Sequence, residues 1–343
     1  MVLTANTSTV RICVNDDSYI GTARRTVRDC AAAIGLTGAA LDKLDILSTE
    51  LATNICKYAG QGGEILVTDS SVGDAKAVTL VSVDRGPGIA DVDKALIDGV
   101  STRHTLGAGL GSIKRLSEAF EISSALGKGT ILISTVSQAG KNSGKSSSQR
   151  LFEPAWISVP HPAEKRCGDG ISVCTSDQRT SVLVVDGLGH GDGAADVSRQ
   201  ARSAFEQGPF DDAGKIVERI HRELSGTRGA ALAIAQIEHH ANQLCFVGVG
   251  NISSRVYSYY SSTGCVSTQG IVGEQIRSVM ENTYEWEPGS MLLMHSDGIK
   301  SSASLEFGKA GKSALMLAAE IYRDCYRAND DATVVVLIDK RSR

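Results

Sequence analysis

Short apolar runs with partial alternation, separated by segments of helical spacing, mark the first part of the chain. Strands are predicted at five segments: TVRICV (9–14), EILVTD (64–69), AVTLVSVD (77–84), FEISSA (120–125) and TILISTV (130–136). Helices are predicted over three ranges: about Ser18 to Ala33, Ala39 to Tyr58 and Leu110 to Ala119. Because helices and strands follow one another without regular alternation, we expect an α+β sandwich with helices on one face of a mixed sheet.

The later part of the chain is richer in strands. They are predicted at seven segments: ISVCTS (171–176), TSVLVVD (180–186), GAALAIAQIE (229–238), QLCFVGVG (243–250), SSRVYSYY (253–260), SMLLMHSD (290–297) and ATVVVLID (332–339). Helices are predicted over three ranges: about Asp192 to Glu206, Asp212 to Leu224 and Lys312 to Arg327. Many strands with a few long helices favour a β-sandwich flanked by helices.

One segment separates the two patterns. Residues 139–150, AGKNSGKSSSQR, contain glycine, serine, lysine and polar amides without apolar periodicity. Such a composition is typical of a flexible linker. We therefore predict a first domain over residues 1–138, a linker over 139–150 and a second domain over 151–343.

Composition narrows the classes of function. The chain has 343 residues, 42% of them hydrophobic and 22% charged, with a net charge of −4. This balance suits globular domains and offers no basic surface for nucleic acid. Eight cysteines occur singly, which favours reduced thiols over zinc ligands. With neither an apolar membrane segment nor a signal core in this sequence, we expect a cytoplasmic protein without membrane partners.

The second predicted helix carries STELATNICKYA, residues 48–59. Glu50 and Asn54 are four residues apart and share a helix face, and Lys57 follows one turn later. A carboxylate can orient or deprotonate a nucleophile, and an amide oxygen can bind Mg²⁺. These three residues are therefore candidates for a metal–nucleotide site, although a solvated polar face has the same pattern.

Three glycine-containing segments follow in order: VDRGPGI (83–89), TLGAGLG (105–111) and GKGT (127–130). Asp84 at a strand end can accept hydrogen bonds from an exocyclic amine, and Gly86 and Gly88 let a flat ring approach the backbone. The second segment opens a helix, where backbone N–H groups favour phosphate. Its candidate residues are Gly107, Gly109, Leu110 and Gly111. Taken singly, each segment also fits an ordinary turn.

The order of these boxes resembles the GHKL ATPase family, over roughly residues 8–137. VDRGPGIADVDKALIDGVST followed by LGAGLGSIKRL looks most like RsbT-type serine kinases of bacterial partner switching. The resemblance implies a Bergerat-type ATP-binding fold using ATP and Mg²⁺. It implies Glu50 as base, Asn54 as Mg²⁺ ligand, Asp84 at the adenine amine, Thr130 supporting Asp84, and the glycines of 107–111 in the ATP lid. Histidine kinases share the boxes, but we see no phospho-acceptor histidine segment before the first strand.

Acidic residues recur at predicted strand ends in the second domain: Asp169 in CGDG, Asp186 in VVDG, Asp297 in HSDG, and Asp330 and Asp331 in NDDAT. Carboxylates gathered at one edge of a sandwich repel one another and favour divalent cations. Oxygen-only ligands point to Mg²⁺ or Mn²⁺ rather than zinc. Two such ions would activate a water and clamp a phosphate. Asp-Gly pairs are also common in plain turns.

The motifs DGLGHG, FVGVGN, MHSDGI and NDDATVVV resemble the metal-dependent type 2C protein phosphatases, in the SpoIIE and RsbX branch, over about residues 155–339. The resemblance implies that two Mn²⁺ or Mg²⁺ ions bind Asp186, the Gly187 carbonyl, Asp297 and Asp330. Asp169 would be a further acidic ligand, and Asp331 would lie just behind the ligands. His190 could act as a general acid or be an ordinary loop histidine, and it is not assigned.

Together these resemblances predict a bifunctional regulator. The first domain would phosphorylate a STAS-domain partner, either an anti-sigma-factor antagonist or a stressosome-type protein, on serine or threonine. The second domain would hydrolyse the phosphoserine or phosphothreonine. The first domain could instead sequester a partner without phosphorylating it, or sense ATP and gate the phosphatase. A general ATPase is disfavoured because no transducer domain follows the ATP boxes. A homodimer is left open.

Overall fold

The computed structural model describes residues 2–3, 9–71, 75–97, 109–138, 151–276, 278–306 and 311–341. The predicted linker 139–150 and Gly107 lie outside them. The chain forms two compact units, Thr9–Ser148 and Gln149–Arg343, and the second also includes Met1–Ser8. Met1–Ser8 groups with the second unit because its strand β1 (Val2–Leu3) pairs there.

The first unit contains one sheet and its helices. Its strands are β2 (Val10–Val14), β3 (Gly63–Asp69), β4 (Ala77–Asp84), β5 (Ala119–Ala125) and β6 (Gly129–Ser137). Its helices are α1 (Ser18–Ala33), α2 (Ala39–Asn54), α3 (Val92–Ala95) and α4 (Gly109–Leu116), and α2 continues into a π-helical turn, Ile55–Ala59.

This sheet has the strand order β2-β3-β4-β6-β5, and every pairing between its described strands is antiparallel. The expectation of a mixed sheet is therefore wrong. The reason lies between β2 and β3, where the chain forms two successive helices. A single crossover helix returns the chain to start a parallel strand, whereas two helices return it for an antiparallel one.

The core of the first unit lies between the sheet and α1 and α2. On α1 the buried positions Ala23, Val27 and Ala31 are spaced by four residues, which places them on one face. The other side chains of the cluster come from α2 and from the strands, and they include Leu44, Leu47, Leu51, Ile65, Leu80 and Leu132. This packing fixes the C-terminal half of α2, which carries Glu50 and Asn54.

The described residues of the second unit form twelve strands after β1 and three helices. The strands are β7 (Phe152–Val159), β8 (Asp169–Thr175), β9 (Arg179–Gly187), β10 (Ala230–Glu238), β11 (Gln243–Val249), β12 (Ser253–Tyr257), β13 (Ser262–Gly264), β14 (Gly270–Ile271), β15 (Gln275–Ile276), β16 (Asn282–Glu285), β17 (Met291–His295) and β18 (Ala332–Asp339). The helices are α5 (Asp192–Glu206), α6 (Ala213–Glu223) and α7 (Ala314–Cys325).

These strands form a β-sandwich with helices outside it. One sheet has the order β1-β8-β9-β10-β11-β16, the other β13-β12-β17-β18-β7, and β14 pairs with β15. Apolar side chains of both sheets meet in one core, and α5 and α6 cover the outer face of the larger sheet in a second core. The expected α+β architecture is confirmed for both units. None of the described helices has the length and apolarity needed to cross a membrane.

Candidate functional site

The end of α2 carries two polar side chains that face the start of α4. A Cβ atom built on Gly109 would lie 2.9 Å from Glu50 Oε2 and 3.6 Å from Asn54 Oδ1. Asn54 Nδ2 is buried, and no described residue gives it a hydrogen-bond partner. An unsatisfied buried donor needs an acceptor oxygen, such as one from a phosphate or a water. The pair therefore offers a carboxylate, an amide oxygen and a donor at one place.

Lys57 does not lie on α2, although the sequence predicted that the helix would continue past it. α2 ends at Asn54, and Lys57 is an exposed residue of the π-helical turn Ile55–Ala59. A π turn takes more residues than an α turn, so the α-helical spacing that grouped Lys57 with Glu50 no longer applies. The role of Lys57 at a nucleotide remains a prediction.

Asp84 is the last residue of β4, and its carboxylate is held by the backbone. Asp84 Oδ1 accepts hydrogen bonds from the N–H of Gly86 at 2.8 Å and from the N–H of Thr130 at 3.3 Å. Thr130 therefore contacts Asp84 through its backbone, whereas its hydroxyl pairs with Ser124 Oγ at 2.9 Å. Two N–H donors fix the direction in which this carboxylate points.

The glycines around Asp84 allow backbone segments to come close together. A Cβ on Gly86 would lie 2.7 Å from the Cα of Ala59, at the end of the π-helical turn. Gly88 has a φ of +73°, and a Cβ there would overlap the carbonyl oxygen of Ala125. The sequence suggested that these glycines admit a flat ring. In the structure, these two positions need glycine because other backbone segments pack closely against them. A flat ring bound there would lie beside glycines that also serve this packing.

The glycines proposed for the ATP lid are described in part. Gly107 lies outside the described residues, whereas Gly109, Leu110 and Gly111 form the first turn of α4. Leu110 packs against the core of the first unit, and Gly111 is buried. The first backbone N–H groups of a helix have no partner within the helix. At Gly109 this helix start lies beside Glu50 and Asn54.

Five aspartates of the second unit come together from the ends of four strands in both sheets. Asp169 begins β8 and is the register partner of Asp186 near the end of β9. Asp297 follows β17, and Asp330 and Asp331 precede β18, the neighbour of β17. The charges of the other four aspartates all act on Asp186. The structure therefore brings the predicted strand-end carboxylates into one cluster.

A serine connects the two sheets inside this cluster. Ser296 Oγ donates to Asp169 Oδ2 at 2.7 Å and accepts from the N–H of Thr333 at 2.9 Å. The loops beside it are in close contact, because a Cβ on Gly298 would overlap the carbonyl oxygen of Asp331. The glycine that follows Asp297 is thus required by the approach of two backbones.

Burial and repulsion raise the pKa of four of these carboxylates, those of Asp169, Asp186, Asp297 and Asp331. Burial first, and then the charges of the other four aspartates, raise the pKa of Asp186 to about 9. Burial raises the pKa of Asp169 to about 7 and also raises the pKa of Asp331. For Asp297, burial and the charge of Asp330 raise the pKa, whereas the charge of Arg327 and a hydrogen bond from Asn251 lower it. A cluster of this kind gains stability from added positive charge.

The donor set fits divalent cations by its chemistry. All five acidic side chains offer only oxygen, and Asp169 Oδ1 is buried with no hydrogen-bond partner among the described residues. Within the same part of the chain, no three Asp, Glu, His or Cys side chains already surround a single ion position. The cluster therefore shows the type, charge and burial of a cation site without fixing ion coordinates.

Two histidines stack beside the cluster. The backbone N–H of His161 donates to Asp331 Oδ1 at 2.8 Å, and the imidazole of His161 stacks on that of His190 with centroids 4.5 Å apart. His190 Nδ1 lies 2.8 Å from Glu164 Oε1. His190 is thus held by neighbours from the loop before Asp169, which explains its position without assigning it to a reaction.

Sequence reasoning missed several residues that support the carboxylates. Asn251 Nδ2 donates to Asp297 Oδ2 at 2.8 Å, and Ser296 bonds Asp169. Both stand inside quoted motifs, FVGVGN and MHSDGI, so their positions there could have suggested a role. His161 acts through a backbone N–H that every residue except proline has, and no sequence pattern could single it out.

Comparison with known protein families assigns both units. Residues 13–135 match the family described as Histidine kinase-like ATPase domain, and residues 176–338 match Stage II sporulation protein E (SpoIIE). The chain is 37% identical over 123 residues to serine/threonine-protein kinase RsbT of Bacillus subtilis (strain 168), covering 36% of this chain and 90% of RsbT. It is 24% identical over 171 residues to phosphoserine phosphatase RsbX of the same organism, covering 50% of this chain and 86% of RsbX.

Solved structures show the same fold in the second unit. A chain from work on the bacterial stressosome, a modular system adapted to control secondary messenger signaling, has a TM-score of 0.52 and 27% identity. It matches 55% of this chain and 100% of its own length. RsbX in complex with magnesium has a TM-score of 0.51 and 22% identity over 56% of this chain and 97% of its own.

Fold and site together define a GHKL-type ATP-binding domain joined to a β-sandwich of the metal-dependent phosphatase class. The chain belongs to the histidine kinase-like ATPase family as a relative of RsbT, and it fuses that domain to a SpoIIE domain related to RsbX. The resemblance on which the sequence prediction rested is confirmed.

Proposed function

We propose that the chain is a partner-switching regulator with two opposed enzymatic activities. Its first unit binds ATP and phosphorylates a STAS-domain protein on serine or threonine. Its second unit hydrolyses the phosphoserine or phosphothreonine ester. The observation that carries the proposal is the cluster of five aspartates, because burial and repulsion leave it in need of divalent cations. Similarity to RsbT supports the kinase half.

In the phosphatase half, Asp186 with the Gly187 carbonyl, Asp297 and Asp330 would hold two Mg²⁺ or Mn²⁺ ions, and Asp169 would be a further ligand. Bound ions would supply an activated water and a clamp for the phosphoryl oxygens. Ser296 orients Asp169 through its hydroxyl, and Asn251 orients Asp297 through its amide. Such supporting hydrogen bonds fix ligands before an ion binds.

In the kinase half, Asp84 would accept the adenine amine, and the two N–H groups bound to its Oδ1 would keep it pointed correctly. Glu50 would accept the proton of the substrate hydroxyl, and Asn54 would bind Mg²⁺. Gly109 would leave room for phosphates beside both residues. Seven further residues complete the proposed ATP site: Gly86, Gly88, Gly107, Leu110, Gly111, Thr130 and Lys57.

The partner would be an anti-sigma-factor antagonist or a stressosome-type protein in the cytoplasm. RsbT, RsbX and a stressosome chain are the relatives that support this choice. A homodimer is compatible with the proposal and is not required by it.

Labelled ATP tests the proposal directly. The full chain carries Asp186→Ala, which prevents hydrolysis of the phosphoester. It is incubated with [γ-³²P]ATP, Mg²⁺ and a STAS-domain protein encoded beside it. We expect label on a serine or threonine of the STAS protein. If the STAS protein binds only with ATP present and never becomes labelled, the first unit is a sequestration module and the kinase proposal is wrong.

A further inference from the structure

A basic side chain lies across the turn that follows Asp186. Arg228 precedes β10, and its Nη1 donates to the carbonyl oxygen of Leu188 at 3.1 Å. The N–H of Leu188 in turn donates to the carbonyl oxygen of Gly229 at 3.1 Å. The turn and the Arg228 segment are therefore bonded in both directions, only two residues beyond Asp186.

Two glycines make room for the guanidinium group. A Cβ on Gly193 would overlap Arg228 Nη2, and a Cβ on Gly189 would lie 3.0 Å from Nη1. Gly193 is in the first turn of α5 and is not among the glycines with positive φ, so the backbone does not require glycine there. A helix loses stability at a glycine. The close position of the Arg228 guanidinium group explains why glycine is found at position 193.

The backbone that carries Arg228 is also held in place. Thr227 Oγ1 donates to the carbonyl oxygen of Leu224 at 2.7 Å and accepts from the N–H of Gly229 at 3.1 Å. Arg228 is thus flanked by a closed turn on one side and by β10 on the other. A donor group that is fixed before binding loses little entropy when a ligand arrives.

No described carboxylate neutralises the charge of Arg228. Its side chain is exposed, and its described hydrogen bond goes to a neutral carbonyl. No carboxylate among the described residues forms an ion pair with it, although a cluster of five aspartates is assembled from the adjoining strands. A guanidinium has five N–H donors in a planar fork, which suits a phosphate dianion.

We infer that Arg228 binds the phosphoryl group of the phosphoserine or phosphothreonine substrate, an inference that rests on the proposed phosphatase activity. The carboxylates would hold the cations, and Arg228, bonded to the turn that follows Asp186, would add a positive charge beside them. Its contact exists in the bound substrate as well as during hydrolysis. Its loss should therefore raise KM more than it lowers kcat.

The test compares three substitutions in the full chain with saturating Mn²⁺. Arg228→Gln keeps an N–H donor for the Leu188 carbonyl and removes the charge. Gly193→Ala keeps the arginine and displaces its guanidinium. Arg222→Ala, an exposed arginine six residues earlier on α6, is the matched control. The measurements are kcat and KM with a phosphoserine peptide and with p-nitrophenyl phosphate, and the inhibition constant of inorganic phosphate.

Arg228→Gln should raise the inhibition constant of inorganic phosphate and both KM values by about ten- to a hundredfold, the range for one charge-assisted hydrogen bond. Its kcat should change by less than about threefold. Gly193→Ala should shift the same constants in the same direction, and Arg222→Ala should leave them unchanged. These shifts would show a contact with phosphate, since a purely structural clamp has no reason to change phosphate inhibition.

An unchanged phosphate inhibition constant in Arg228→Gln, with lower kcat and a lower melting temperature, would show that Arg228 only clamps the turn. That outcome would overturn the inference and leave the phosphatase proposal intact. A wild-type chain that hydrolyses neither ester with Mn²⁺ or Mg²⁺ would instead contradict the phosphatase proposal. Calorimetric titration of the Mn²⁺-loaded wild type and Arg228→Gln with inorganic phosphate would still decide the role of Arg228.

Discussion

Asp84 and Asp186 both lie at the end of a buried strand, yet their surroundings suit opposite partners. Asp84 accepts two backbone N–H groups through one oxygen. Asp186 is half-buried beside four other aspartates, and burial together with their charges raises its pKa to about 9. At the scale of single residues, the first environment fits a hydrogen-bond acceptor for a base, and the second fits a ligand for cations.

Asp84→Asn should weaken ATP binding, because the amide removes a charged acceptor for the adenine amine. One such hydrogen bond corresponds to about ten- to a hundredfold in affinity, measured by calorimetric titration with ATP and Mg²⁺. Asp69→Asn is the matched control, since Asp69 ends β3 and its Oδ1 accepts from the N–H two residues later, as Asp84 does. Equal ATP affinity in both variants would remove Asp84 from this role.

Glu50→Gln should bind ATP as the wild type does and transfer phosphate about a hundred- to ten-thousandfold more slowly. The amide cannot take a proton from the acceptor hydroxyl, and general-base catalysis contributes that range. The measurement pairs ATP titration with labelling of the STAS protein. Full labelling by Glu50→Gln would exclude Glu50 as the base.

Metal-free protein should lose stability as the pH rises. The pKa of Asp186 is about 9 in the folded chain and about 3.9 in an unfolded one, so the folded form holds the proton more tightly. Its contribution is complete below about pH 4 and is lost as the pH rises toward 9. In chelator, the melting temperature of the second unit should be lower at pH 8 than at pH 5. The expected shift is about 2–4 °C for each kcal/mol of unfolding free energy that is lost.

Asp186→Asn should flatten this dependence, because the amide carries no charge to repel its neighbours. Saturating Mg²⁺ should do the same in the wild type. Asp177→Asn is the control, since Asp177 is an exposed residue in the turn at the opposite end of the β8–β9 hairpin. If Asp186→Asn melts with the same pH dependence as Asp177→Asn in chelator, repulsion at Asp186 does not limit stability.

At the scale of elements, one proline explains why the sequence pattern missed a strand. The apolar runs gave β4, β9, β10 and β18 with at most a one-residue shift. They missed β7, which contains Pro154 and lies at the edge of its sheet. Proline lacks an N–H and lowers strand propensity, so the pattern favours a loop, but an edge strand tolerates it.

The sequence indicated which kinds of residue form the candidate sites. It indicated less well how those residues are arranged. Aspartates at predicted strand ends marked the cluster, because the strand ends of a sandwich meet at an edge. The π-helical turn that carries Lys57 was not predictable, because the sequence continues the α-helical pattern through it. A backbone donor such as the N–H of His161 has no sequence signal, since nearly every residue provides one.

Two glycines in the β5–β6 turn allow the effect of backbone strain to be distinguished from the effect of close packing against Asp84. Gly127 has a φ of +76°, and a Cβ placed on it would have no atom within 4 Å. Gly129 has a φ of +78°, and a Cβ there would overlap the carbonyl oxygen of Asp84. Gly127→Ala should cost about 1–2 kcal/mol of unfolding free energy from backbone strain alone. Gly129→Ala should cost more and should also weaken ATP binding by displacing Asp84.

Urea denaturation and ATP titration of the two alanine variants measure this difference. Equal loss of stability with equal ATP affinity would show that the contact between Gly129 and Asp84 does not position the carboxylate.

At the scale of the whole molecule, the two proposed activities in one chain would consume ATP without net change in the partner. A kinase that adds a phosphate and a phosphatase that removes it leave only hydrolysed ATP. Because an ungated pair would only hydrolyse ATP, we expect partner binding or oligomerisation to favour one activity at a time. A difference between the rates of the two units would set the fraction of partner that is phosphorylated.

The most direct measurement follows labelled phosphate on the STAS protein with three forms of the chain. Wild type should give a low steady level of label, and Asp186→Ala should let the label accumulate. Glu50→Gln should add label at least about a hundredfold more slowly than the wild type, yet it should remove label from protein that is already phosphorylated. Chelation of Mn²⁺ and Mg²⁺ after labelling should stop the removal. If Asp186→Ala still removes the label at the wild-type rate, the aspartate cluster is not the phosphatase site and the account is contradicted.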